Sequence, residues 1–301
     1  MSLEQLQKEW NRDGVTVCED KNLIQVRLET PTSSCSIYLN GAHVSSFIVN
    51  GVQQFFLSEK SAYEPKKAIR GGIPLIYPQF GPGNIQTHGF ARNMQWSIKS
   101  TFSEGNGTIG IKFELKDDDY SRNIWPNSFR ALYSVILHPA HLELRFSNKN
   151  TDIKPWNYQL AFHTYYSISN IQNVHVEGLS QYEFIDKMKK AQKFTESRQN
   201  VTIQEEVDRV YVSIKPDTPI VLVDQSNQHK IILKSENLND AVVWNPWVDK
   251  SKAMADFGDL EYPNMICIEA GQIEKPKLLS PGEKQCHKHF IFPSSKQSPS
   301  L

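Results

Sequence analysis

The chain has 301 residues, 39% of them hydrophobic and 11% aromatic, long enough to bury a full core without disulfide or metal staples. Lys plus Arg number 33 and Asp plus Glu 33, so the formal net charge is zero. That balance argues against a nucleic-acid binder or a partner of anionic membranes, while leaving room for a local basic pocket that takes a small anion. No run approaches the length of a membrane span, and the opening MSLEQLQKEWNRDG has no apolar signal-peptide core. Cys18, Cys35, Cys267 and Cys286 form no CxxC pair and no zinc-type spacing. The expectation is a cytoplasmic protein with reduced thiols, no metal and no cofactor.

In chain order, residues 3–11 read as a short amphipathic helix with Leu3, Leu6 and Trp10 on one side, ended by Asn11-Arg12-Asp13-Gly14. The period then changes to two. Ile24, Val26 and Leu28 alternate with polar residues, as do Cys35, Ile37 and Leu39. Val44–Val49 and Gln53–Leu57 flank Asn50-Gly51, the strongest short hairpin signal, because both central residues of that turn need positive φ. Asn106-Gly107 repeats the device between a strand around Trp96–Ile98 and Ile109, Ile111, Phe113 and Leu115. Tyr133, Val135 and Leu137 meet Leu142, Leu144 and Phe146 across a turn at Pro139-Ala140. Later strands are expected at 172–177, 201–204, 209–214, 219–223, 230–234, 241–244, 265–269 and 287–292, with small helices near Asp118–Ile124 and Ser251–Phe257. Short strands punctuated every eight to twelve residues, without a βαβ rhythm, an internal repeat or a linker, predict one all-β antiparallel sandwich domain over 1–301 with a frayed tail at about 294–301.

Four segments depart from plain strand or turn. In Ala68-Ile69-Arg70-Gly71-Gly72-Ile73-Pro74 the paired glycines permit close backbone approach; chemistry alone reads a surface loop whose Arg70 pairs with a carboxylate. His88-Gly89-Phe90-Ala91-Arg92 places an imidazole and a guanidinium four residues apart, an anion-binding pair or a strand-edge His beside a solvated Arg. His163 lies in the aromatic strand Leu160–Tyr166, where desolvation tunes an imidazole toward acid–base work, although core hydrogen bonding is the commoner fate of such a residue. Glu269 closes the apolar strand Met265-Ile266-Cys267-Ile268, and a carboxylate there calls for a partner or a function. The same logic touches Asp208, with a solvated salt bridge as the alternative. His287-Lys288-His289 lacks the acidic ligand of a cupin metal site, and Asp117-Asp118-Asp119 lacks the Gly and Glu of an EF-hand. Both are set aside.

Seven segments taken together, GAHVSSF at 41–47, IRGGIPLIYPQFGP at 69–82, HGFARNMQW at 88–96, FHTYY at 162–166, VDRVY at 207–211, VVWNPW at 242–247 and MICIEAG at 265–271, resemble the hexose-6-phosphate mutarotase branch of the aldose 1-epimerase, or galactose-mutarotase-like, superfamily. The resemblance implies a β-supersandwich whose concave face carries the site. It implies His163 as general acid and Glu269 as base, Arg70 and Arg92 as phosphate contacts, and His88 and Asp208 as contacts to sugar hydroxyls or neighbouring polar groups. It further implies ring opening and closure at the anomeric carbon of a phosphosugar, by a monomer that needs neither metal nor redox cofactor. Where the family commonly has Gln directly before HGFAR, this chain reads Gln86-Thr87. Two other readings stay open: a non-catalytic carbohydrate-binding sandwich with Trp244 and Trp247 as stacking platforms, and a mutarotase of unphosphorylated aldoses.

Overall fold

A computed structural model describes residues 1–104 and 106–295 of the chain. Its strands form three sheets. The first is a sequential meander of five, Val15–Asp20, Leu23–Glu29, Ser33–Tyr38, His43–Val49 and Val52–Gln53. The second has eight strands, running from Val174–Glu177 through Ile220–Asp224, His229–Glu236, Lys284–Ser295, Leu142–Asn150, Phe129–Leu137 and Thr108–Lys116 to Ser97–Glu104. The third, which carries the site, places Gln192–Thr195, Glu183–Asp186, Val207–Tyr211, Asp240–Asn245, Met265–Leu279, Trp156–Phe162 and Leu75–Ile76 side by side, with Tyr165–Ser167 also paired to Met265–Leu279. The long strands pair antiparallel, as expected of an all-β sandwich.

Alternation on the third sheet decides what the site can contain. Ile266, Ile268 and Ala270 enter the main core cluster with Leu160, Phe162, Tyr133 and Phe146. Met265 and Cys267 belong to a second cluster on the opposite face, with Val242, Trp244, Tyr165, Phe56 and Phe257. Glu269 shares the parity of Met265 and Cys267, so the pleat turns it away from the main core and toward that second face. Register then aligns Val210 with Val242 and Glu269, and Asp208 with Trp244, Cys267 and Tyr165.

The first helix spans Leu3–Trp10, closed by a Ser2/Gln5 capping box. At Asn50-Gly51 both residues have positive φ, +49° and +79°, as the hairpin signal requires. Asp118 caps the helix Asp119–Ile124, which accounts for the acidic triplet. The second small helix is displaced from its expected place and runs over Trp247–Ala253. Residues 201–204 form no strand; Val201 makes only an isolated bridge to Val176. The strand at 265 does not end at Glu269 but continues to Leu279, and the last strand extends to Ser295; residues 296–301 of the expected tail lie outside the described residues. No helix among the described residues is long and apolar enough to cross a membrane.

Candidate active site

The stretch Leu160–Tyr166 is not one continuous strand. Pairing stops at Phe162 and resumes at Tyr165, leaving His163 and Thr164 at a break. The break is held from outside: the His163 N–H donates to the Pro74 carbonyl (3.1 Å) and the Tyr165 N–H to the Gly72 carbonyl (2.9 Å). For this the IRGGIP segment must lie against both neighbours. A Cβ on Gly71 would stand 2.3 Å from the Phe56 carbonyl oxygen, and one on Gly72 2.2 Å from that of Val44. With φ of +115° and +57° as well, the two positions tolerate only glycine. The glycine pair seats the imidazole.

His163 Nδ1 and Glu269 Oε1 are 3.3 Å apart, at ion-pair distance but without hydrogen-bond alignment. Both side chains are nearly buried, with residue exposures of 7% and 2%. They form the floor of a cleft of about 340 Å³ whose walls include Phe80, Trp244, Asp208 and Met254. The His163 ring stacks on Tyr165 (4.8 Å between centroids, 7° between planes) and meets Trp244 and His88 edge-on. Burial first, then electrostatic repulsion of a second charge by the neighbouring His88, Arg70 and Arg92, pushes the imidazole well below its ordinary 6.5. Burial pushes the Glu269 carboxyl well above its ordinary 4.5; Asp208 adds to this, whereas Lys187 and Arg92 oppose it. Both directions favour the uncharged forms of the two groups.

His88 is a loop residue with φ of +69°, not the strand-edge residue that one reading of the sequence gave it. Its Nδ1 accepts from the Gly81 N–H (3.3 Å), and its ring packs edge-on against Phe80. Burial, with Arg92, Lys187 and Arg70 adding to it, lowers its pKa to about 3, so it faces the cleft uncharged.

Both arginines reach the same cleft in different states. Arg70 pairs with a carboxylate, as chemistry alone suggested, and it also lines the cleft. Its Nε and Nη2 donate to Asp256 (3.2 and 3.1 Å) and its Nη1 donates to the Tyr165 hydroxyl (2.9 Å). Arg92 forms no ion pair among the described residues; Nη2 donates to the Thr87 carbonyl (3.0 Å) and the buried Nε has no partner. Thr87, rather than Gln86, faces the cleft. The Gln86 amide instead donates to the Gly89 carbonyl (2.8 Å).

Sequence reasoning missed Lys187, Lys250 and Asp256. Lys187 lies 3.0 Å from Asp208 Oδ1 and sits over the Phe80 ring. Lys250 also lines the cleft and, with Asp256, lies on the segment after Asn245. Asn245 fastens that segment: its amide donates to the Tyr262 and Met265 carbonyls, and its oxygen accepts from the Trp247 N–H, each at 2.9 Å. The available signal was the VVWNPW motif, but lysines on short irregular elements carry no pattern of their own. Trp244 lines the cleft, while Trp247 packs on Tyr262.

The sandwich has known counterparts. A family model described as aldose 1-epimerase matches residues 25–289. A curated relative from Cenchrus ciliaris, named "Putative glucose-6-phosphate 1-epimerase", is 42% identical over 272 residues, covering 87% of this chain and 82% of its own length. A relative of the same name from Salmonella typhimurium is 30% identical, with 86% of each chain covered. The crystal structure of a "putative mutarotase" from Salmonella typhimurium superposes with a TM-score of 0.87 at 26% identity, covering 95% of both chains. The chain belongs to the aldose 1-epimerase family.

Proposed function

We propose that this protein interconverts the α and β anomers of a hexose 6-phosphate. The observation that carries the reading is the juxtaposition, in one cleft, of the His163–Glu269 pair at 3.3 Å with an unpaired Arg92. The relatives' names support it. So does the charge of the cleft: Arg70, Lys187 and Lys250 are each paired with a carboxylate, Asp256, Asp208 and Glu206, which leaves Arg92 as the surplus cation among the described residues. A phosphate dianion offsets the surplus.

Anomer exchange requires removal of the O1 proton while the ring oxygen gains one, followed by rotation about C1–C2 and closure with the roles reversed. O1 and the ring oxygen are bonded to the same carbon, so two adjacent groups serve both. Glu269 takes the O1 proton and His163 supplies the ring oxygen. The His163 cation with the Glu269 anion holds the same number of protons as the uncharged pair. Burial is the main cause of the depressed His163 pKa, and a bound phosphate neutralises the arginine charge that adds to it, so phosphate binding favours the charged form relative to the free protein. Arg92 and Arg70 anchor the phosphate and orient C1 over the pair, while His88, uncharged, and Asp208 contact sugar hydroxyls. The free thiols of all four cysteines accord with a cytoplasmic setting.

NMR exchange spectroscopy on the anomeric signals of glucose 6-phosphate, glucose and galactose tests the reading. Acceleration for the phosphosugar above the free sugars is expected. Acceleration of free sugars alone would keep the chemistry and remove the phosphate site, a reading favoured only by the engagement of Arg70 with Asp256. Binding without exchange would leave a sugar-binding sandwich.

A further inference from the structure

Cys267 precedes Glu269 by two residues and, by the pleat, points to the same side of the sheet. Its Sγ, His163 Nδ1 and a carboxylate oxygen of Glu269 lie within 4.8 Å of one another, and all three residues are buried. Two of the three side chains hold atoms without a hydrogen-bond partner, His163 Nδ1 and Glu269 Oε2. Proton transfer at an anomeric carbon does not call for a thiol beside the acid–base pair. We propose that His163, Cys267 and Glu269 form a binding site for a soft divalent cation of the Zn²⁺ class, and that such a cation occupies the acid–base pair and blocks it.

Tetrahedral zinc, with metal–ligand bonds of about 2.0–2.3 Å, places its ligand atoms roughly 3.3–3.7 Å apart. His163 Nδ1 and Glu269 Oε1 stand at 3.3 Å already. The widest separation of 4.8 Å closes with a side-chain adjustment of about an ångström toward tetrahedral edges. One thiolate, one carboxylate and one neutral imidazole cancel the charge of the ion. Binding releases the Cys267 thiol proton and any proton on Glu269 to water, and no electrons change hands. His163 and Glu269 line the cleft, and Cys267 lies buried behind them, so the cleft is the route by which the ion arrives. A sulfur ligand and only one carboxylate disfavour Mg²⁺ and Ca²⁺, which take oxygen ligands in larger number.

The cation site stands on geometry alone; its inhibitory effect rests on the proposed epimerase activity. The two are separated by titrating the chelator-treated full chain with Co²⁺. The expected result is a one-equivalent thiolate-to-cobalt charge-transfer band that Zn²⁺ displaces and Mg²⁺ does not, lost in Cys267→Ser and in Cys267→Ala and weakened in His163→Asn. In parallel, Zn²⁺ slows anomer exchange of glucose 6-phosphate and EDTA restores it. Cys267→Ser keeps its basal exchange and tolerates roughly 10-fold more Zn²⁺ or beyond. Absence of the band in the wild-type protein, or an equal band or equal Zn²⁺ sensitivity in a folded Cys267 variant, overturns the site. A normal band in a protein without anomer exchange supports the site and counts against the epimerase reading instead.

Discussion

Arg92→Ala removes from the cleft a guanidinium that forms no ion pair among the described residues. Nη2 spends one N–H on the Thr87 carbonyl and Nε is buried, so Nη1 and the second N–H of Nη2 are left to meet an anion. A hydrogen bond involving a charged group contributes about 1.5–3 kcal/mol, and two to one phosphate are not additive, so the pair is worth about 2–3 kcal/mol. That corresponds to a rise of roughly 30- to 150-fold in KM for glucose 6-phosphate. Anomer exchange of free glucose, which has no phosphate to lose, is expected to stay within about 3-fold of wild type. Arg92→Lys keeps the charge without the planar fork and should recover part of the loss. Exchange spectroscopy across a range of substrate concentrations separates KM from kcat for both sugars. A KM for the phosphosugar within about 3-fold of wild type, or an equal loss on free glucose, would refute the assignment of Arg92 to the phosphate.

Glu269→Gln keeps the shape of a side chain whose Oε2 has no hydrogen bond, so folding should survive while exchange falls by about 10²–10⁴-fold; near-wild-type exchange would remove Glu269 from the proton transfer. His163→Asn should fall by a similar factor with KM little changed, read in the same assay. Asn245→Ala strips the fastening from the segment that carries Lys250 and Asp256 and leaves two carbonyls and an N–H without partners. A destabilisation of about 2–4 kcal/mol in denaturant unfolding is expected, with KM raised more than kcat is lowered. Burial holds His287 and His289 near 4 and His43 near 3, below the ordinary 6.5. The unfolded chain therefore binds protons that the folded chain refuses, and stability is lost as pH falls from 6.5 toward 4. His289→Gln should lessen that loss by about 1.4 kcal/mol per pH unit, as measured by chemical unfolding at a series of pH values. An unchanged slope would count against His289.

Much of this site was legible because its residues interrupt patterns. Glu269 stands out as a carboxylate in an apolar run, and Gly71-Gly72 as adjacent glycines where a strand would otherwise continue. The hairpin at Asn50-Gly51 and the alternation of Leu142, Leu144 and Phe146 followed from local chemistry that tertiary packing did not override. The short strands Glu183–Asp186 and Gln192–Thr195 at one end of the third sheet were not legible: neither carries a strong apolar alternation, and both are fixed by pairing with Val207–Tyr211 or with each other. Lys187 was lost with them, since it sits on the turn that joins them. The bond of Arg70 to Asp256 spans 186 residues, a distance at which no spacing rule identifies the partner.

The third sheet explains why the chemistry needs so little machinery. From Met265 to Ala270 its central strand is apolar on both faces but for Glu269, so that carboxylate is desolvated by the pleat itself, before any neighbour acts. The register supplies the imidazole: Phe162 pairs with Ala270 and Tyr165 with Cys267, so His163 falls across from Glu269 and on the same face. Val242 holds the corresponding position on the other side. Strand pairing lapses at His163 and Thr164 without a change of register, and there the Pro74 and Gly72 carbonyls accept the His163 and Tyr165 N–H groups. The segment that seats the histidine also supplies Arg70. A substitution at Gly72 that pushes this segment outward should therefore displace imidazole and guanidinium together, lowering kcat and raising KM at once, whereas Arg92→Ala moves KM with kcat little affected.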